Sequence, residues 1–371
     1  MTALDHTSTT APPLEHPLEE GWTLPASWYS DAGVAALERE RIFARTWQYA
    51  GPAEQVADPG SYMATQAGHV PVVVTRDRSG VLRGFVNVCR HRAYVIATDS
   101  GCRETLQCAY HAWTYELDGT LRKAPRSERE EGFDAADFSL LPVSVDAWGP
   151  FLFVNPDPDA APLAETLGEL PALVARSRLD LSTLRFHSHH TWPIEANWKV
   201  ALENYLECYH CPTAHPGFSK VIDVDPDAYG LSVSPTFSSQ IGPIRASALS
   251  GSNNAPYVPV GEVTQSQYHF LFPNTTINIA PGPANISMER WLPDGTGRTI
   301  EVTDYWFGAD VPADIVQEIL DFDDQVGRED TDLVVSVQAG LNSGTVTQGR
   351  LMRETEQLLA DFQRKLYDAV A

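Results

Sequence analysis

The spacing of apolar positions changes several times along the chain. Between residues 27 and 48, SWYSDAGVAALERERIFARTW carries them at helical intervals, which predicts a helix. From about 49 to 155 the pattern shortens. PVVVTRD, LRGFVNVC, LQCAYHAWTYEL, GTLRKAP and GPFLFVNP are brief β-rich runs broken by Gly, Pro and Asp, and they predict a small all-β domain. AWTYELDGTLRKA reads as a hairpin turning at Asp118-Gly119. After Pro156 helical spacing returns in LAETLGELPALVARS. A strand, RFHSHHTWPI, then precedes the helix NWKVALENYLECYH, with Asn197 as its N-cap. Residues 212–260 are rich in Pro, Ser and Gly and read as a loop, a lid or pocket wall. YHFLFPNTTINIA, ANISMERWLP and RTIEVTDYWF read as antiparallel strands. Two helices close the chain, the first with a break expected near Gly327 and the second over TQGRLMRETEQLLADFQRKLYDAV. The predicted plan is α+β, with a lead over 1–44, a β domain over 45–155 and a larger domain over 156–371.

Composition narrows the picture. The 371 residues, 43% of them hydrophobic, suffice for a large core. No apolar run nears the 18–20 residues needed to span a bilayer. The start, MTALDHTSTTAPPLEHPLEE, has no secretory pattern and reads as a loose arm, so a cytoplasmic protein is expected. A net charge of −23 argues against nucleic acid or an anionic membrane as partner. Residues 76–129 run the other way, with ten basic residues against six acidic ones. In that tract Arg90, Arg92 and Arg103 are a candidate docking surface for an acidic redox partner. Five cysteines are an odd number for a disulfide framework.

Two constellations carry chemistry. The first is Cys89-x-His91, sixteen residues, then Cys108-x-x-His111. Two facing loops of this kind suit a [2Fe–2S] cluster with one iron on thiolates and the other on imidazoles. A Cys₂His₂ zinc site uses the same ligand types, although a Cys-x-His knuckle is unusual for zinc. Cys102 fits neither loop and reads as a loop or core thiol.

The second constellation is YLECYHCPTAH. On a continuous helix Glu203, Glu207 and His210 fall at i, i+4 and i+7 on one face, and Pro212 then lets His215 turn back toward His210. Two imidazoles and a carboxylate make the facial triad of non-haem Fe(II). The carboxylate is sought in REDTDLVVSVQ, which offers Glu329, Asp330 and Asp332. Cys208 lies about 200° around the helix from His210, and a thiolate beside an O₂-activating iron is prone to oxidation, so Cys208 and Cys211 are expected to be structural.

FVNVCRHR, CAYHAWTYELDGTLRKAP, NWKVALENYLECYHCPTAH and EDTDLVVSVQAGL, in this order, resemble the catalytic α-subunits of Rieske non-haem iron oxygenases over about residues 45–340. The resemblance implies a β-sheet Rieske domain and a helix-grip catalytic domain on an antiparallel sheet. It implies that Cys89, His91, Cys108 and His111 hold the cluster, and that His210, His215 and Asp330 hold the mononuclear iron. It also implies a homotrimer in which the cluster of one subunit serves the iron of its neighbour across a bridging carboxylate, here Glu207. Asn204 joins Glu207 as a candidate catalytic residue. Many members have Asp at the bridge, and Glu resembles the branch that oxidises carnitine, choline and betaines. The sequence departs from the family where Ala93, Ala109 and Ala112 replace the usual Gly, Pro and Gly.

The expected activity is O₂-dependent hydroxylation at Fe(II), with N-demethylation or C–N cleavage of a quaternary ammonium compound. Electrons would come from NAD(P)H through a flavin/iron–sulfur reductase or a ferredoxin, because the chain has no dinucleotide fingerprint and no second cluster motif. Phe270, Phe272, Trp291, Tyr305 and Trp306 are candidates for an aromatic cage around the cation. The alternatives are an aromatic-ring hydroxylase or O-demethylase with the same metals, or an electron carrier or zinc-stabilised binding protein without oxygenase activity.

Overall fold

In the computed structural model, residues 11–371 are described and the chain divides into two units. One unit is Phe43–Thr166; the other takes the chain up to Ile42 together with Leu167–Ala371. The loose-arm reading of the first ten residues lies outside the described residues. From Pro12 onward the arm is tied down: its carbonyl accepts the Trp28 indole N–H at 3.2 Å, and the His16 amide donates to Gln348 at 2.8 Å.

The β unit has a seven-stranded sheet in the order Gln48–Pro52, Phe151–Asn155, Pro142–Trp148, Leu82–Val86, Val70–Arg76, Ser61–Ala67, Ser100–Cys102. A second sheet of three strands comprises Thr105–Gln107, Thr114–Glu116 and Leu121–Lys123. The Asp118-Gly119 turn closes the last hairpin, with the Gly119 amide bonded to the Glu116 carbonyl at 3.0 Å. Gly119 has φ +87°, and a Cβ there would lie 2.4 Å from the Phe85 ring, so only glycine fits. Cys102, on an exposed edge strand, belongs neither to a loop nor to the core.

The larger unit is built on a seven-stranded antiparallel sheet in the order Leu184–Ile194, Thr299–Gly308, Asn285–Pro293, Thr275–Ile279, Gln265–Leu271, Phe237–Pro243, Gly230–Val233. Six of these strands follow one another as a meander, and Leu184–Ile194 adds to the far edge. Two of them, Gly230–Val233 and Phe237–Pro243, lie in the stretch expected to be loop. Prolines and serines there mask short runs whose apolar residues become legible only once paired with a neighbouring strand. The helix Ala313–Asn342 runs unbroken through Gly327, because a single glycine lowers helix propensity by about 1 kcal/mol without forcing a break. The closing helix starts only at Gln357. No helix among the described residues is long and apolar enough to cross a membrane.

Candidate metal centres and active site

In the β unit the two Cys/His loops wind alike. The Cys89 amide donates to the Tyr94 carbonyl and the Cys108 amide to the Trp113 carbonyl, each five residues ahead and each at 2.8 Å. The residue four ahead donates back at 3.0 Å in both loops, Ala93 to Cys89 and Ala112 to Cys108. Ala93 and Ala112 are left-handed, with φ 57° and 54°. The two alanines that replace the family's glycines thus occupy the backbone region that favours glycine.

Cys89 and Cys108 are buried in the core with Tyr115, Trp113 and Leu106. His91 and His111 are exposed at the tips, their ring centroids 4.6 Å apart, and His91 stacks on Trp113. The Arg90 amide donates to the Tyr115 hydroxyl at 3.0 Å, and that hydroxyl lies 3.3 Å from Cys89 Sγ. Burial, then the Cys89 contact, raises the Tyr115 pKa, so the phenol keeps the proton it offers to sulfur. Burial raises the Cys108 thiol, against the backbone amides of Tyr110 and His111, which favour its charged form. Two sulfurs inward and two imidazoles outward fit a cluster with one thiolate-bound and one imidazole-bound iron. Arg90 is less available for docking than expected, because its guanidinium is bonded to the Ser139 carbonyl at 2.8 Å; Arg92 is exposed over the Tyr110 ring.

In the larger unit the helix predicted to reach His210 ends at Tyr205. The Glu207 carboxylate accepts the Tyr209 amide at 2.5 Å and the His210 amide at 3.2 Å, which turns the chain out of the helix. Glu203, Glu207 and His210, expected on one helical face, therefore do not share one. Glu203 is turned away, accepting from Tyr29 at 2.6 Å and Gln363 at 2.8 Å, and burial lifts its pKa to about 7. A second short helix, Cys211–Ala214, opens with Pro212 near its start, and His210 and His215 are its two flanking cap residues. Cys208 and Cys211 form a disulfide. Cys208 does not point away; leaving the helix early brings it to the cavity wall.

His210 and His215 face one another through Nε2 at 3.1 Å, and Asp330 Oδ1 lies 2.9 Å from His215 Nε2 and 3.4 Å from His210 Nε2. Behind each ring stands a carboxylate. Glu207 bonds His210 Nδ1, and Glu329 bonds His215 Nδ1 at 2.7 Å. Asn204 Nδ2 donates to Asp330 Oδ1 at 2.5 Å. With each Nδ1 held by a carboxylate, the two Nε2 atoms and a carboxylate oxygen converge on one point. Such a set repels itself unless a cation sits there, and this donor set suits non-haem iron with open positions. Burial disfavours charge on the rings, yet Asp330 and Glu207 raise His210 to about 9, and Asp330 and Glu329 raise His215. Of the three acidic candidates, Asp330 joins the group, Glu329 orients a ligand, and Asp332 is exposed. Glu329, expected only as an alternative ligand, instead holds His215 Nδ1, and its adjacency to Asp330 is the signal for that role.

The group opens into a cavity of about 870 Å³ including its mouth. Trp291 lines it, as do Tyr205, Tyr229 and Tyr268, which sequence reasoning did not name. Tyr305 lies one step back, its hydroxyl bonded to the lining Asp323. Trp306 falls on the opposite face of the sheet by strand alternation and packs on Phe186. Phe270 and Phe272 pack on Phe362 of the closing helix, which keeps them from the cavity.

Residues 46–143 match the Rieske [2Fe–2S] domain, and residues 181–371 match the ring hydroxylating alpha subunit (catalytic domain). The chain belongs to the Rieske oxygenase α-subunits. It is 32% identical to the carnitine monooxygenase oxygenase subunit of Escherichia coli (strain K12), over 91% of this chain and 89% of that one. It is also 32% identical to chloroplastic choline monooxygenase of Spinacia oleracea, over 93% and 78%. A solved quaternary ammonium Rieske monooxygenase, described with insights into carnitine oxidation and inter-subunit electron transfer, superimposes with a TM-score of 0.82. It is 27% identical to this chain, covering 96% of this chain and all of that one. This oxygenase is an oxidoreductase of the quaternary-ammonium branch, and its cofactors are a Rieske [2Fe–2S] cluster and a mononuclear iron that reacts with O₂.

Proposed function

We propose that this oxygenase hydroxylates a small quaternary ammonium compound beside its nitrogen and so removes an N-methyl group or cleaves another C–N bond. The observation that carries the reading is the convergence of His210, His215 and Asp330 on a cavity walled by Tyr205, Tyr229, Tyr268 and Trp291. For a methyl group the balance is one O₂, two electrons and two protons in. The products are formaldehyde, water and the protonated tertiary amine. In this reading Cys89 and Cys108 hold one iron of the cluster, His91 and His111 hold the other, and the triad holds the mononuclear iron. When bound, the cluster supplies electrons one at a time and the mononuclear iron binds O₂.

The chain's own residues position and insulate. Glu207 and Glu329 hold the imidazoles with Nε2 toward the cavity, and Asn204 holds the Asp330 carboxylate in line. Tyr and Trp faces suit an ammonium head, which they attract without a hydrogen bond. Glu207, on the far nitrogen of His210, is the bridging carboxylate toward the neighbouring subunit of a homotrimer. Electrons arrive from NAD(P)H through a reductase or ferredoxin that meets the exposed His91 and His111 edge. The test is anaerobic reconstitution followed by a chemical reductant, O₂ and a panel of quaternary ammonium compounds. Three iron atoms per chain are expected, with formaldehyde or another aldehyde formed in step with O₂ uptake. His210→Ala should retain two irons and lose at least about 100-fold of the activity. Diol formation from arenes, with no aldehyde from any ammonium compound, would overturn the reading.

A further inference from the structure

The lining of the cavity holds three carboxyl groups that the metal site does not use: Glu289 from the strand Asn285–Pro293, Glu301 from Thr299–Gly308 and Asp323 from the helix Ala313–Asn342. Among the described residues, no lysine or arginine lines it. Glu289, 5% exposed, accepts from Thr276 at 2.5 Å and from Asn278 at 2.6 Å. Glu301 accepts from Thr303 at 3.1 Å, and Asp323 from Tyr305. These bonds are all neutral. Glu289 is buried and Glu301 and Asp323 are half-buried; carboxyl groups withdrawn from water without a cationic hydrogen-bond partner are costly, and they are kept where something brings the missing charge.

A second observation points the same way. Gln240, 3% exposed, lines the cavity and gives its amide N–H to the Tyr205 carbonyl at 2.6 Å, while its Oε1 is buried with no donor. The remaining amide donors are committed: Asn204 to Asp330, and Asn278 to Ser287 and Glu289. The cavity thus offers acceptors and aromatic faces, and few donors.

From this we infer that the substrate is an organic ammonium cation with no carboxylate of its own, an amino alcohol rather than a betaine. Its ammonium charge is met by Glu289, Glu301 and Asp323, and its hydroxyl finds Gln240 and the tyrosines. The inference rests on the reading of the cavity as the site for a quaternary ammonium compound and selects within that class. A carboxylate-bearing zwitterion would bring its own carboxylate against the same acidic wall, which disfavours its binding. Burial raises all three carboxyls, Glu301 to about 7 and Glu289 and Asp323 upward, and an arriving cation draws them into the ionised form.

The test is calorimetric binding to the iron-loaded, full-length protein under argon, with choline, glycine betaine and L-carnitine as probes. Choline should bind at least tenfold more tightly than either zwitterion. The Glu289→Gln, Glu301→Gln double variant, with iron content checked, should lose at least tenfold for choline and less for the zwitterions. Equal or tighter binding of a zwitterion would overturn this inference and leave the ammonium reading standing, as would parental choline affinity in the double variant. If none of the three probes binds, both fall. Selectivity of the parent protein answers the question even where the variant fails to fold.

Discussion

The two metal-binding regions of this chain solve one problem in different ways. In the β unit the Cys and His of each motif sit two and three residues apart on loops whose shape is held by backbone hydrogen bonds, repeated residue for residue in the two knuckles. Side chains add little beyond one tyrosine hydroxyl on one sulfur. In the larger unit His210, His215 and Asp330 converge, the last more than a hundred positions away, and each imidazole is aimed by a separate carboxylate. A loop locked by its own backbone depends on local sequence. A site aimed by carboxylates depends on tertiary packing and carries the charge that goes with it.

This contrast can be broken or sharpened by substitution. The largest effect is expected for Glu329→Gln, which weakens the hold on His215 Nδ1. Iron retained against a chelator should fall by about 10–100-fold, as for other partners of metal-bound histidines, while the visible spectrum of the cluster is unchanged. The counterpart in the β unit, Tyr115→Phe, should leave cluster loading at the parental level and shift only its reduction potential. Parental iron retention in Glu329→Gln, or loss of the cluster in Tyr115→Phe, would contradict the comparison.

Glu203 comes next, a carboxylate of the same segment that serves no metal. Its pKa, raised by burial to about 7 from 4.5, means the folded state prefers the protonated form. Its contribution to stability is present below about pH 4.5 and is lost as pH rises through about 7. Glu203→Gln should therefore stabilise the protein by about 1–3 kcal/mol at pH 8 and by almost nothing at pH 4.5, read from urea melts. An equal shift at both pH values would mean that charge at Glu203 is not the cause.

The smallest effect belongs to Ala93→Gly and Ala112→Gly. Relief of the left-handed strain is partly offset by glycine's greater freedom in the unfolded chain, so each should add about 0.5 kcal/mol to stability. A loss of stability instead would show that the alanine methyls pack usefully.

Strand alternation and turn residues made most of the sheet strands legible, and Cys89-x-His91 and Cys108-x-x-His111 stood out because the members of each motif are close in sequence. The cation cage was much less so. Of the five aromatics proposed for it, only Trp291 reaches the cavity, since which face of a sheet a closing helix covers is not written in any strand. The two short strands before residue 244 were missed for the same reason: their partner lies elsewhere in the chain.

Local sequence by itself determined the turns and the spacing within each Cys/His motif, because these depend on interactions within a few residues. Only the tertiary structure decided that Glu203 turns away, that Glu329 stands behind His215 and that Glu289, Glu301 and Asp323 share one cavity. Each of those outcomes depends on charge and burial summed over segments distant in sequence, which no short window contains.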